Sequence, residues 1–190
     1  MEQSSSRQEK TAKVIDVLNQ ARGLELNAIM QYMNHHYNLA DMDYGELAAS
    51  VKLIAIDEMR HAEMFAERIK ELGGEPVTAP LGTPERDKDA AFIFNADTQL
   101  EDGAIDAYNG FLIVCRESGD STSVKLLESI IDDEQLHFNY FDNVSSHIDK
   151  LDGTYLARIA GTPSTTGLQT QGFVARQGTT PPPGGAGPLR

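Results

Sequence analysis

The stretch Ala55–Glu63, AIDEMRHAE, places Glu58 and His61 three residues apart in an otherwise helical run. On a helix, side chains at i and i+3 project from one face. At 3.6 residues per turn Met59 lies about 100° from Glu58 and about 200° from His61, so it serves another face. A lone Glu in such a run is ordinarily a solvated surface charge. A second copy of the pattern, further along the chain, sets this one apart.

Sliding the sequence against itself by 76 positions (134 − 58 = 76) aligns unusual residues. Glu25 falls on Glu101, Tyr32 on Tyr108, Asp57 on Asp133, Glu58 on Glu134 and His61 on His137. With 5 His and 6 Tyr in the whole chain, coincidence is a poor explanation. The chain is an internal duplication. Each half supplies one Glu on a first helix and a Glu-x-x-His on a second.

The spacing then brings these groups together. In each half the lone Glu precedes the pair by the same distance, 58 − 25 = 33 and 134 − 101 = 33. Residues level with each other in an antiparallel hairpin are equidistant from its turn. The midpoints, 41.5 and 117.5, fall in the turn signals DMDYG (Asp41–Gly45) and ESGD (Glu117–Asp120). At 1.5 Å per residue the level lies about 25 Å from each turn, midway down a bundle. Four carboxylates and two imidazoles converge there. Desolvation and like-charge repulsion forbid such a cluster in an apolar interior unless something compensates. Two divalent cations supply that compensation. Oxygen and imidazole donors suit iron or manganese, and the set matches the known pattern of di-metal carboxylate bundles.

Roles follow from position. Glu58 and Glu134, beside the histidines, are placed to bridge two metals. Glu25 with His61, and Glu101 with His137, are the expected terminal ligands of one metal each. Tyr32 and Tyr108, seven residues past the lone Glu, can donate a phenolic hydrogen bond to a carboxylate. Asp57 and Asp133 are expected to orient the histidines. His35, His36 and His147 have no repeat partner and are expected to be structural or exposed.

The rest of the chain fits an all-α fold. Helical periodicity marks about 8–40, 46–72, 87–118 (with Asp87 as N-cap), 121–151 and a short fifth helix over 154–160. Gly73-Gly74 ends the second segment, and the proline-bearing EPVTAPLGTPER predicts an extended linker. Residues 1–161 form the expected helical domain. Residues 162–190, rich in Gly, Pro, Ser and Thr, read as an irregular tail. The net charge of −13, from 29 acidic and 16 basic residues, argues against nucleic acid or an anionic membrane as main partner. The polar start MEQSSSRQEK lacks the apolar core of a signal peptide, so a cytoplasmic location is expected. A single cysteine, Cys115, excludes an internal disulfide and a CxxC redox pair.

GLELNAIMQY, IDEMRHAE, LEDGAIDAY and DDEQLH, in this order and spacing, resemble the ferritin-like superfamily and, within it, the bacterioferritins. The similarity covers about 10–160. It implies a ferritin-like four-helix bundle with a long crossover between the second and third helices. The 13-residue linker 74–86 reaches about 43 Å when extended, just the span two parallel helices would require. The resemblance further implies iron storage and detoxification. Fe(II) would be oxidised by O2 or peroxide at an intrasubunit di-iron site, and ferric mineral kept inside a shell of 24 subunits. Met59 occupies the position of the family's haem axial ligand, which implies haem or a related iron porphyrin shared by two subunits. An electron-donor protein for iron release is implied as well. The same six ligands would also serve a non-storage di-iron or di-manganese peroxidase or catalase. A third reading is a helical module without metal.

Overall fold

The computed structural model describes residues 2–86, 88–151, 153–164 and 172–177. Four long helices form the bundle: α1 (Glu2–Asp41), α2 (Gly45–Glu71), α3 (Ala90–Ser118) and α4 (Ser121–Leu151). Two short ones follow, α5 (Gly153–Ile159) and α6 (Phe173–Gln177). Among the described residues there is no strand, and no helix is long and apolar enough to cross a membrane.

The helix ends obey local chemistry. Asp43, at φ 65°, turns the chain between α1 and α2. The expected N-cap Asp87 lies outside the described residues. The third helix is instead capped two residues later, where the Asp89 carboxylate accepts from the Phe92 amide at 3.0 Å. Gly119 ends α3 at φ 79°, a left-handed cap that favours glycine. Asp120 then opens α4 by accepting from the Thr122 and Ser123 amides, and its carboxylate is gripped by Arg68 from the far end of α2.

The linker between α2 and α3 is extended and lies along α1. Asn19 donates to the Glu75 carbonyl, the Leu81 amide to Gly23, and the Glu85 amide to Gln31. Its direction is therefore that of α1. Cross-bundle pairs give the remaining directions: Glu25–Tyr108 and Tyr32–Glu101 make α1 and α3 antiparallel, so α2 and α3 run parallel across the crossover.

The core has two apolar parts. One gathers Tyr32, Leu39, Leu47, Ile54, Phe94 and Phe141, and the other gathers Val14, Leu18, Phe65, Tyr108, Leu112 and Leu127. A polar layer lies between them. Among the described residues of the tail, α6 departs from the irregular reading. Phe173, in α6, is buried against Tyr140 and His137, with ring centroids 5.0 and 6.2 Å away. An apolar Phe-Val pair within a polar tail gives that turn a face to bury.

Phe141 is fully buried and packs on Tyr32 and Phe94, 5.2 and 6.1 Å between ring centroids. Chemical denaturation of the metal-free Phe141→Ala variant is expected to show a loss of about 3–5 kcal/mol, with Phe141→Leu losing less.

Candidate metal centre

The polar layer consists of the residues that the repeat singles out. Glu25 comes from α1, Glu58 and His61 from α2, Glu101 from α3, Glu134 and His137 from α4, and all six are buried. Their ligand atoms fall into two groups, each within 4.8 Å: Glu25, Glu58, His61 and Glu134, and Glu58, Glu101, Glu134 and His137. Glu58 and Glu134 belong to both.

The two halves are near mirror copies in their contacts. His61 Nδ1 lies 2.9 Å from Glu58 Oε2, 3.1 Å from Glu134 Oε1 and 3.8 Å from Glu25 Oε1. His137 Nδ1 lies 3.0 Å from Glu58 Oε1, 3.3 Å from Glu134 Oε2 and 3.8 Å from Glu101 Oε1. Glu58 Oε1 and Glu134 Oε1 sit this close to an imidazole without hydrogen-bonding geometry. Each Nδ1 hydrogen-bonds the glutamate on its own helix and faces a second glutamate oxygen that has no hydrogen-bond partner, so donor atoms of both halves converge where a cation could replace the proton.

The outer partners cross between halves. Tyr32 Oη donates to Glu101 Oε1 and Tyr108 Oη to Glu25 Oε1, both at 2.6 Å. His61 Nε2 meets Asp133 Oδ2 at 3.3 Å, and His137 Nε2 lies 3.6 Å from Asp57 Oδ2. Each half thus orients the ligands of the other. Spacing within one hairpin carries no sign of this exchange, because it depends on how the hairpins pack.

Burial drives the Glu25 and Glu101 carboxyls well above the usual carboxylate range, and the charges of Glu134 and Glu58 add to the rise. Burial opposes charge on His61 and His137, yet Glu134 beside the first and Glu58 beside the second hold both imidazoles well above their usual range. Against its own burial, Glu134 is held below the carboxylate range by these two histidines. Burial, with Glu101 and Glu25 nearby, pushes the Tyr32 and Tyr108 phenols far up, so both remain donors. Without metal, protons supply the positive charge.

Two features were not anticipated from sequence, the partners of Asp97 and the contact of the tail with Asp57. Asp97, one turn before Glu101, is fully buried and pairs with His35 Nδ1 at 2.9 Å and Gln31 Nε2 at 2.9 Å. Its repeat counterpart is Ala21, so the duplication gives no signal there. The histidines without a repeat partner are structural or exposed, as expected: His35 and His36 are buried, His36 bonded to the Ala48 carbonyl at 2.8 Å, and His147 is exposed. Val174, in the tail, donates its amide to Asp57 Oδ2 at 2.9 Å. Met59 faces away from the centre and is 46% exposed.

A pocket of about 230 Å³ reaches the centre between α1 and α3. It touches Glu25, Glu58, Glu101 and Glu134 and is walled by small or apolar residues that include Ala28 and Ala104. The four acids are thereby open to small species from one side.

The ferritin-like domain model matches residues 15–152. The chain is 57% identical over 171 residues to the bacterioferritin of Desulfovibrio desulfuricans, covering 90% of this chain and 96% of that protein. It is 34% identical over 153 residues to bacterioferritin BfrA of Mycobacterium tuberculosis, covering 80% and 96%. The X-ray structure of the Desulfovibrio protein, solved with its diiron site in different catalytic states, superposes with a TM-score of 0.84 at 58% identity, covering 88% of this chain and 98% of that one. The Mycobacterium tuberculosis BfrA structure superposes with a TM-score of 0.75 at 34% identity, covering 80% and 96%. With these motifs, this bundle and these relatives, the chain belongs to the bacterioferritin family of ferritin-like proteins.

Proposed function

We propose that this protein is a ferroxidase and iron store, oxidising Fe(II) to Fe(III) at the buried centre. One observation carries the reading: two four-residue ligand groups interlock through Glu58 and Glu134, in a close relative of a bacterioferritin with a diiron site. Carboxylate and imidazole donors, four negative against two neutral, fit two Fe(II) ions. Glu58 and Glu134 bridge the pair, Glu25 with His61 holds one ion, and Glu101 with His137 holds the other. Two Fe(II) held together give one electron each to a shared oxidant, so that O2 takes up two electrons and leaves as peroxide after accepting two protons. Tyr32 and Tyr108 fix the terminal carboxylates by donating to Glu101 and Glu25. Asp133 and Asp57 orient the outer nitrogens of His61 and His137. The pocket between α1 and α3 admits iron and oxidant, and its apolar wall suits dioxygen.

Assembly is homo-oligomeric, and the reading extends it to a cytoplasmic shell of 24 subunits storing ferric mineral. Met59 would hold a haem or related iron porphyrin between two subunits through its thioether sulfur. Its bared position on the outer face of α2 supports that role, because the thioether is open to a group lying outside the bundle. When bound, the haem would pass electrons from a donor protein inward for reductive release of iron.

Three outcomes test this reading. Glu58→Ala combined with Glu134→Ala should lower aerobic Fe(II) oxidation, followed by ferric absorbance, to the uncatalysed background. Met59→Leu should abolish the bis-methionine haem absorbance while particle size stays unchanged. Because Glu25, Glu101, His61 and His137 have raised pKa values, the metal-free centre holds protons that a cation must displace. Metal binding near neutral pH should therefore release protons, and affinity should fall as pH falls. Titration calorimetry with Zn(II) in buffers of different ionisation enthalpy measures both.

A further inference from the structure

The symmetry of the centre ends at the aspartates behind the histidines. Asp133, behind His61, has a side chain 36% exposed, whereas Asp57, behind His137, is 5% exposed. The difference comes from the tail. The Val174 amide donates to Asp57 Oδ2 at 2.9 Å, and Arg60 Nη1 donates to Oδ1 at 3.0 Å, so both oxygens are pinned. Asp57 Oδ2, the oxygen that Val174 holds, is also the one facing His137 Nε2, at 3.6 Å an ion-pair contact beyond hydrogen-bond length, so the buried Nε2 has Asp57 as its charged neighbour and no hydrogen bond of its own. The Phe173 ring stands edge-on to the His137 imidazole, 6.2 Å between centroids, and closes this side against water. Gly172 permits the approach. A Cβ there would come within 1.8 Å of Asp57 Oδ1 and 2.4 Å of its carboxyl carbon.

We propose that Gly172–Val174 is a positioning element for one of the two metals. By fixing Asp57 and walling His137, it makes the Glu101/His137 position bind metal more tightly than the Glu25/His61 position. The inference rests on the di-metal reading above. The physical ground is preorganisation: an imidazole whose outer partner is immobile and dry loses less freedom when it takes a metal. His61 has a different situation, since Asp133, which it meets at 3.3 Å, is 36% exposed and no described tail residue bonds to it. The two iron positions, built from duplicated ligands, are unequal because, among the described residues, the tail stands behind Asp57 and His137 alone.

The test is anaerobic titration of the full-length, metal-free assembly with Co(II), following the d–d absorbance and the heat. The unmodified chain should bind two Co(II) in resolved steps, with dissociation constants at least about tenfold apart. Gly172→Ala, whose added methyl must push the segment off Asp57, should weaken the tighter step by about tenfold or more and leave the weaker one unmoved. Phe173→Ala should shift the same step in the same direction, and Asp133→Asn should shift only the weaker step. If Gly172→Ala lowers the melting temperature of the metal-free protein but leaves both constants unchanged, the segment adds stability only and the proposal fails. If the unmodified chain takes up no Co(II) that Glu58→Ala removes, the di-metal reading itself falls. Two steps that ignore the tail variants defeat this inference alone.

Discussion

Four carboxylates held around two imidazoles in a water-poor layer are the constraint on which the rest of the bundle depends. Ionised together they could not remain buried, because each loses hydration and each repels the others. The metal-free protein meets the constraint with protons. Raised pKa values at Glu25, Glu101, His61 and His137 neutralise part of the negative charge and place positive charge between Glu58 and Glu134. Cations do the same more completely, and the ligand geometry already points at where they would sit.

The packing on either side serves that layer. One apolar cluster contains Tyr32 and the other contains Tyr108, so each phenol is buried in its own cluster while its hydroxyl reaches into the polar layer. The rings contribute burial and their hydroxyls satisfy carboxylates, which lets the core continue almost to the ligands. The crossover linker lies on α1 and leaves the opening between α1 and α3 as the approach to the acids. Stability and access are thus separated: the ends of the bundle are packed, and the middle is polar and reached between α1 and α3.

Much of this was legible in the chain because duplication converts weak signals into a strong one. One Glu-x-x-His is ambiguous, but two copies with equal spacing to a lone Glu and a turn at each midpoint specify an antiparallel four-helix arrangement. The fourth helix, expected over about 121–151 from the turn signal ESGD, spans Ser121–Leu151, with Gly119 left-handed and Asp120 capping its start. What escaped was whatever needs two hairpins to be docked. The exchange of Tyr and Asp partners between halves is a packing outcome, and Asp97 with His35 and Gln31 has no repeat to flag it. The start of α3 was misplaced because Asp87 and Asp89 both look like caps, and the helix uses the second. The docking of Phe173 and Val174 was hidden within a composition that reads as unstructured. Met59, for its part, has Gln135 as its counterpart, so the outer face of α2 differs from that of α4 just where the inner faces agree.

The central claim is that two metals share Glu58 and Glu134 inside each subunit. Anomalous scattering at the iron edge, from crystals of the iron-loaded protein, tests it most directly. Two peaks per subunit, roughly 3.5–4 Å apart and between the two bridging carboxylates, are expected. A single peak, or iron only on the surface of the bundle, would contradict it.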